Sequence, residues 1–190
     1  MRRFLESKEA EPFRDELLKT LTDDAGNVNW DLLGSTEFDA AWTRITTGDE
    51  RELFGAVQSN FLGRTHLDPI VNYLRKEYGG NRDVMDLLEN PAFIEAIYSG
   101  GIQYGAGGAR RVLVKPALDK AAKDGRLGDA VYVLELLYDR RRETGHARAG
   151  KGEERDKVLA LARSLKEPEL VASLPENLLR HAIQEALKRK

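Results

Sequence analysis

The residues best suited to chemistry surround the run "AIYSGGIQYGAGGARR", from Ala96 to Arg111, in which five positions are glycine. Ser99, Gln103 and Tyr104 supply hydroxyl and amide groups that both donate and accept hydrogen bonds, as sugar hydroxyls and acetamido groups require. The glycines beside them, Gly105 among them, would let a ligand approach the backbone. Glu95 stands just upstream in the apolar context "AFIEAIYS". Burial there would raise its pKa towards the duty of a general acid. An equally good account of the run is a close crossing of two helices, with Ser and Gln capping the backbone. Likewise, Glu95 also fits an exposed helical position. A phosphate cradle is excluded: "GGIQYGAGG" does not fit G-x-x-x-x-G-K-[ST], and no strand precedes it.

Other candidates carry less chemistry. Paired carboxylates are plentiful, but their separation, which decides glycosidase chemistry, is not written in sequence. His66 in "RTHLDP" reads as a packing or capping residue at a helix junction. Trp30 and Trp42 read as core or as a sugar-stacking surface, with core favoured for Trp42. The stretch "YDRRRETGHARAGKGEER" is basic, but no aromatics are interleaved for base stacking. Asp139, Glu143, Glu153 and Glu154 neutralise much of it, so a solvated helix face with Glu–Arg pairs is favoured over a nucleic-acid surface.

The elements that must position these groups read as helices almost throughout. In "EPFRDELLKTL", Pro12 falls in a first turn, and Phe13, Leu17, Leu18 and Leu21 form one stripe. "STEFDAAWTRITTG" opens on Ser/Thr caps and spaces Phe38, Trp42 and Ile45 by four and three residues. Asp49 and Glu52 resemble a capping box before a helix carrying Leu53, Phe54, Val57, Phe61 and Leu62. Asp68 is expected to cap the next helix, with Pro69 starting it and Gly79-Gly80 ending it. Asn81 and Asn90-Pro91 open two more. The second of these is expected to end at Tyr98-Ser99, leaving the glycine run as a turn. A break is expected near Pro116, followed by "GDAVYVLELLYDRRRETG", "EERDKVLALARSL" and "PENLLRHAIQEALKRK". No segment alternates with period two, so the fold class is all-α, with nine or ten short helices. Residues 1–174 read as a single domain and 175–190 as an appended helix.

Bulk properties narrow the function classes. The chain has 190 residues, 41% of them hydrophobic and 33% charged, with a net charge of −2. It has no cysteine and only three histidines, His66, His146 and His181. Disulfides and zinc–thiolate centres are thereby excluded, and neither a metal nor an organic cofactor is expected. No apolar run is long enough for a membrane span, so no membrane partner is expected. The N-terminus "MRRFLESKEAEPF" is not a secretory signal, which leaves the cytoplasm or export by a non-classical route. Residues 1–108 hold 11 Lys/Arg and 19 Asp/Glu, a balance of −8, whereas residues 109–163 hold 14 and 9, a balance of +5. Such asymmetry marks an anion-binding face or, more often, helices that match one another.

In order, these pieces resemble a family of lysozyme-like domains found in phage tail or lysis proteins and at the C-terminus of type VI secretion spike proteins. The likeness spans roughly residues 1–145. A Phe-x-x-x-Trp helix precedes Phe54, Gln58 and Phe61, which lead into His66, Asp68 and Pro69. The turn Ser99, Ile102, Gln103, Tyr104, Gly105 follows, then the helix with Tyr138, Asp139 and Arg141. The resemblance implies a helical lysozyme-like bundle that cleaves the β-1,4-linked glycan of peptidoglycan or a chitosan-like polymer, with a Glu protonating the glycosidic oxygen. Gln58, Ser99, Gln103, Tyr104 and Gly105 would then line the sugar cleft. Implied partners are bacterial cell-wall glycan and a phage or secretion-system protein or an immunity protein. In the family the catalytic Glu lies upstream of a "FL" helix, and here that helix starts at Phe4, so the segment expected to carry the acid is missing. The chain is then part of a larger or partnered enzyme, a derived domain that no longer cleaves, or an enzyme whose acid is Glu95, Glu9 or Glu11. The alternative function is a non-catalytic structural or binding module of a phage or secretion apparatus.

Overall fold

The computed structural model describes residues 1–144 and 151–165. The helix expected beyond Pro175, together with His146 and His181, lies outside the described residues. Among those described, every regular element is helical, and the only strand-like pairing is an isolated bridge between Thr22 and Val28. The all-α class follows. The chain divides into two compact units, Met1–Thr65 and a second beginning at His66, each with its own apolar core.

The first unit contains α1 (Arg2–Leu5), α2 (Glu11–Lys19), α3 (Thr36–Thr47) and α4 (Arg51–Leu62). Pro12 sits in the first turn of α2, where its missing N–H costs nothing. Ser35 caps α3 by accepting from the Phe38 N–H at 3.1 Å. The Asp49–Glu52 capping box is not formed: Glu50 occupies the N-cap of α4 and makes no side-chain cap bond. The core is aromatic. Phe54 meets Phe13 and Trp42 edge-on, each at 4.9 Å between ring centroids, and Phe4 packs against Phe54, Phe61 and Trp42. Each such edge-to-face pair adds about 0.5–1.5 kcal/mol beyond the area it buries. Trp42 is thus a core residue, and half-buried Trp30 lies beneath the Arg2 guanidinium at 5.0 Å.

The second unit contains α5 (Asp68–Tyr78), α6 (Arg82–Glu89), α7 (Pro91–Ala109), α8 (Lys115–Lys123), α9 (Ala130–Glu143) and α10 (Lys151–Ser164). Asn81 caps α6, and Asn90 caps α7 through the Ala92 and Phe93 N–H groups. Asp68 does not cap α5. The preceding residues Gly63–Leu67 form a π-helical turn that runs directly into it, so the N–H groups a cap would serve already have carbonyl partners. The break expected near Pro116 is likewise a π turn, Arg110–Val114, continuous with α7 and α8. Two expected breaks are therefore wide helical turns, which join α4 to α5 and α7 to α8 and leave eight separate α-helical stretches among the described residues. Ile70, Leu74, Phe93, Ile97, Leu113, Leu118 and Leu134 fill the centre of this unit, each at most 2% exposed. Burying such a side chain is worth about 1.5–3 kcal/mol.

Candidate functional site

The glycine run is not a turn. α7 continues through Ser99 and Gly100, and only Gly105, at φ 68° and ψ 156°, leaves helical geometry. Two of its glycines sit at close packing, Gly101 where no side chain fits and Gly100 where a Cβ would press on Leu113. A Cβ on Gly100 would lie 3.1 Å from Leu113 Cδ1, and one on Gly101 would lie 2.6 Å from the His66 carbonyl oxygen. Glycine at 101 thus allows the backbone before α5 to approach α7 closely, as a helix crossing requires.

Within α7, Glu95, Ser99 and Gln103 are four residues apart and share one face. On α9, Tyr138, Arg141 and Thr144, three apart, make a second stripe, with Thr144 at its C-cap. The stripes meet at Arg141, whose side chain is 4% exposed. Its Nη2 donates to Gln103 Oε1 at 2.9 Å and to Ser99 Oγ at 3.1 Å, and its Nε donates to Gln103 Oε1 at 3.3 Å. Its Nη1 donates to Glu154 Oε1, on α10, at 2.7 Å. The Tyr138 hydroxyl donates to the same carboxylate oxygen at 3.1 Å, and the guanidinium lies 5.2 Å from the Tyr138 ring centroid. Beside this hub, the Tyr104 and Thr144 hydroxyls are 2.7 Å apart. Thr144 spends its one proton on the Arg141 carbonyl oxygen, so the Tyr104 phenol is the donor between them.

Electrostatics follow this geometry. Burial pushes the Glu154 carboxyl up, but bonds from Arg141 and Ser99 outweigh it and leave the pKa below its usual 4.5. Burial raises the Tyr138 phenol, and the neighbouring Glu154 charge raises it further, with a smaller contribution from Glu95. The hub is therefore a cation, a carboxylate and a neutral phenol that satisfy one another. Its carboxylate, Glu154, is therefore ionised at neutral pH. Among the described residues, no three His, Cys, Asp or Glu side chains converge as a metal would require.

Ser99, Gln103 and Tyr104 converge on the Arg141–Thr144 turn of α9, and Gly105 is the kink beside them. Gln58 is half-buried on α4 of the first unit, next to buried Val57. Glu95 is half-buried on α7, and Glu11 is exposed at the start of α2. Glu9 is 10% exposed at its side chain and gripped by Arg64 through bonds of 2.5 and 2.8 Å, which hold its pKa at about 2. A carboxyl so held is ionised and cannot deliver a proton at neutral pH. On the described α9 part of the basic stretch, two arginines lie on a solvated face: Arg140 pairs with Glu143 and Arg142 with Asp139, each at 2.5 Å and exposed. Arg141 is the exception: the resemblance singled it out with Tyr138 and Asp139, but sequence reasoning neither placed it at the site nor paired it with Glu154. The available signal was the three-residue spacing Tyr138, Arg141, Thr144, which puts one arginine of three on the apolar side of α9.

No curated protein and no solved structure matches the chain significantly. Residues 18–152, well over half of the sequence, match the family described as type VI secretion system spike protein VgrG3-like, C-terminal, and the chain belongs to that family.

Proposed function

We propose that the chain is a non-catalytic structural or binding module of a type VI secretion spike, working through contacts with other secretion-system proteins. The observation that carries this reading is the Arg141 hub. Ser99, Gln103 and Tyr104, the polar groups that a glycan-lined cleft would offer, are engaged with Arg141 and Thr144 inside the second unit. Of the carboxylates nearest that hub, Glu154 is held ionised by the same arginine. A buried, mutually satisfied network of this kind fixes one arrangement of helices, which suits a rigid passenger of a delivery machine. The test is assembly: the purified chain is mixed with the purified body of a type VI spike and run on a sizing column. Co-elution supports the module, and independent elution of the two counts against it.

A second reading is a lysozyme-like domain directed at cell-wall glycan. It is favoured by one observation, the half-buried Glu95 one helical turn before Ser99 and close enough to influence Tyr138. In that reading Glu95 would be the proton donor, and an immunity protein would be among the partners. Clearing of a peptidoglycan suspension separates the two readings.

A further inference from the structure

We infer that α10 is a strap latched onto the second unit by the Glu154–Arg141 ion pair, and that acid or loss of the carboxylate releases it while the remaining helices stay folded. This inference does not depend on the function proposed above. Residues 18–152 carry the family match, so all of α10 after Lys151 and Gly152 lies beyond it. A helix of 14 residues is marginal in water when alone. α10 lays Val158, Leu159, Leu161 and Ala162 on the core and also buries Ser164, whereas Lys157 and Glu153 pair at the surface. Its second ion pair to α9, Arg163 with Glu135 at 3.6 Å, is exposed and contributes little. The Glu154 contact is of another kind, because its partner guanidinium is 4% exposed and has no other carboxylate bonded to it among the described residues. Removing one member of a buried pair leaves an uncompensated charge, so the docked position of α10 depends on this carboxylate.

Among the described residues, the charged and titratable groups that act on Glu154 are Arg141 and Tyr138 on α9, with Glu95 on α7 acting through Tyr138. Burial works to raise the Glu154 carboxyl, but bonds from Arg141, Ser99 and Tyr138 bring it below 4.5. A depressed folded pKa means that the latch contributes its full stability above the unfolded value and loses it as pH falls below 4.5 through the folded one. The Tyr138 phenol stays neutral throughout that window, so of the two groups that share the Arg141 contact it is Glu154 that carries the response.

The test is hydrogen exchange of backbone amides, read as protection factors to remove the intrinsic pH effect, on the whole chain and on Glu154→Gln. At neutral pH the variant is expected to lose at least tenfold protection over residues 152–165, with α5 and α6 unchanged. A double variant, Arg141→Met with Glu154→Leu, removes both charges; it is expected to regain protection in α10 and to lose the parent's loosening below pH 4.5. Unchanged protection of α10 in Glu154→Gln overturns the inference. So does a uniform loss across the second unit, or failure of that unit to fold, because the strap would then not be separable. A double variant as acid-labile in α10 as the parent also overturns it.

Discussion

The His66 carbonyl oxygen lies so close to Gly101 that a methyl group there would stand 2.6 Å from it. Side chains do not tolerate such an approach to backbone, so the segment entering α5 and helix α7 are held together by the absence of a Cβ. Gly101→Ala is therefore expected to destabilise the second unit by about 1–3 kcal/mol, the usual result of overpacking. Urea unfolding followed by circular dichroism measures it. An unchanged midpoint would mean that the crossing relaxes freely.

Two neighbouring glycines should respond differently. Gly107 is exposed, helical and has open space where a Cβ would go, so Gly107→Ala should stabilise by about 0.4–1 kcal/mol through the unfolded chain. Gly105 also has space but sits at φ 68° and ψ 156°, a region essentially confined to glycine, so Gly105→Ala should cost about 1–3 kcal/mol in backbone strain. Paired thermal melts of the two variants check the opposite signs.

Arg141→Ala is expected to cost about 3–5 kcal/mol, because Glu154 loses its counter-charge and Ser99 and Gln103 lose the guanidinium donor in a part-buried setting. Arg140→Ala and Arg142→Ala, on the solvated side of the same helix, should each stay within about 1 kcal/mol of the parent. Denaturant midpoints of the three variants separate one structural arginine from two surface ones.

In the first unit, Glu9 carries a pH prediction. Its folded pKa of about 2 lies below the unfolded 4.5, so its bond with Arg64 contributes fully above 4.5 and fades as pH falls towards 2. Carbon-detected NMR titration of the Glu9 carboxyl should show a midpoint near 2. Glu9→Gln should leave the first unit less stable at pH 7 and flatten its acid limb between these values. A midpoint near 4.5 would show that the Arg64 grip does not persist in solution.

Much of the fold was legible because helical punctuation is local. Pro12, Ser35, Asn81 and Asn90 act where their types predict, and the stripes of Phe13–Leu17 and Phe38–Ile45 face a core. Asp49 and Asp68 misled because a cap is only one way to satisfy a first turn; a π turn into α5 is another, and it leaves no composition signal. The glycine run misled for a related reason. Glycine lowers helix propensity by roughly 1 kcal/mol per residue, yet packing against His66 and Leu113 overrides that preference. At the hub, the spacing of Glu95, Ser99 and Gln103 was readable as one face. What that face meets was not, since Arg141 resembles its neighbours Arg140 and Arg142 in sequence. Glu154 reaches it from a helix whose placement depends on tertiary packing.

The central claim is that the polar groups of α7 serve an internal network in a non-catalytic secretion module. Its most direct test is the turbidity of a purified peptidoglycan suspension incubated with this chain, beside Glu95→Gln. The account predicts that turbidity stays constant with both proteins over hours at neutral pH. Clearing by the parent, abolished by Glu95→Gln, would contradict it and make the chain a glycan hydrolase with Glu95 as its acid.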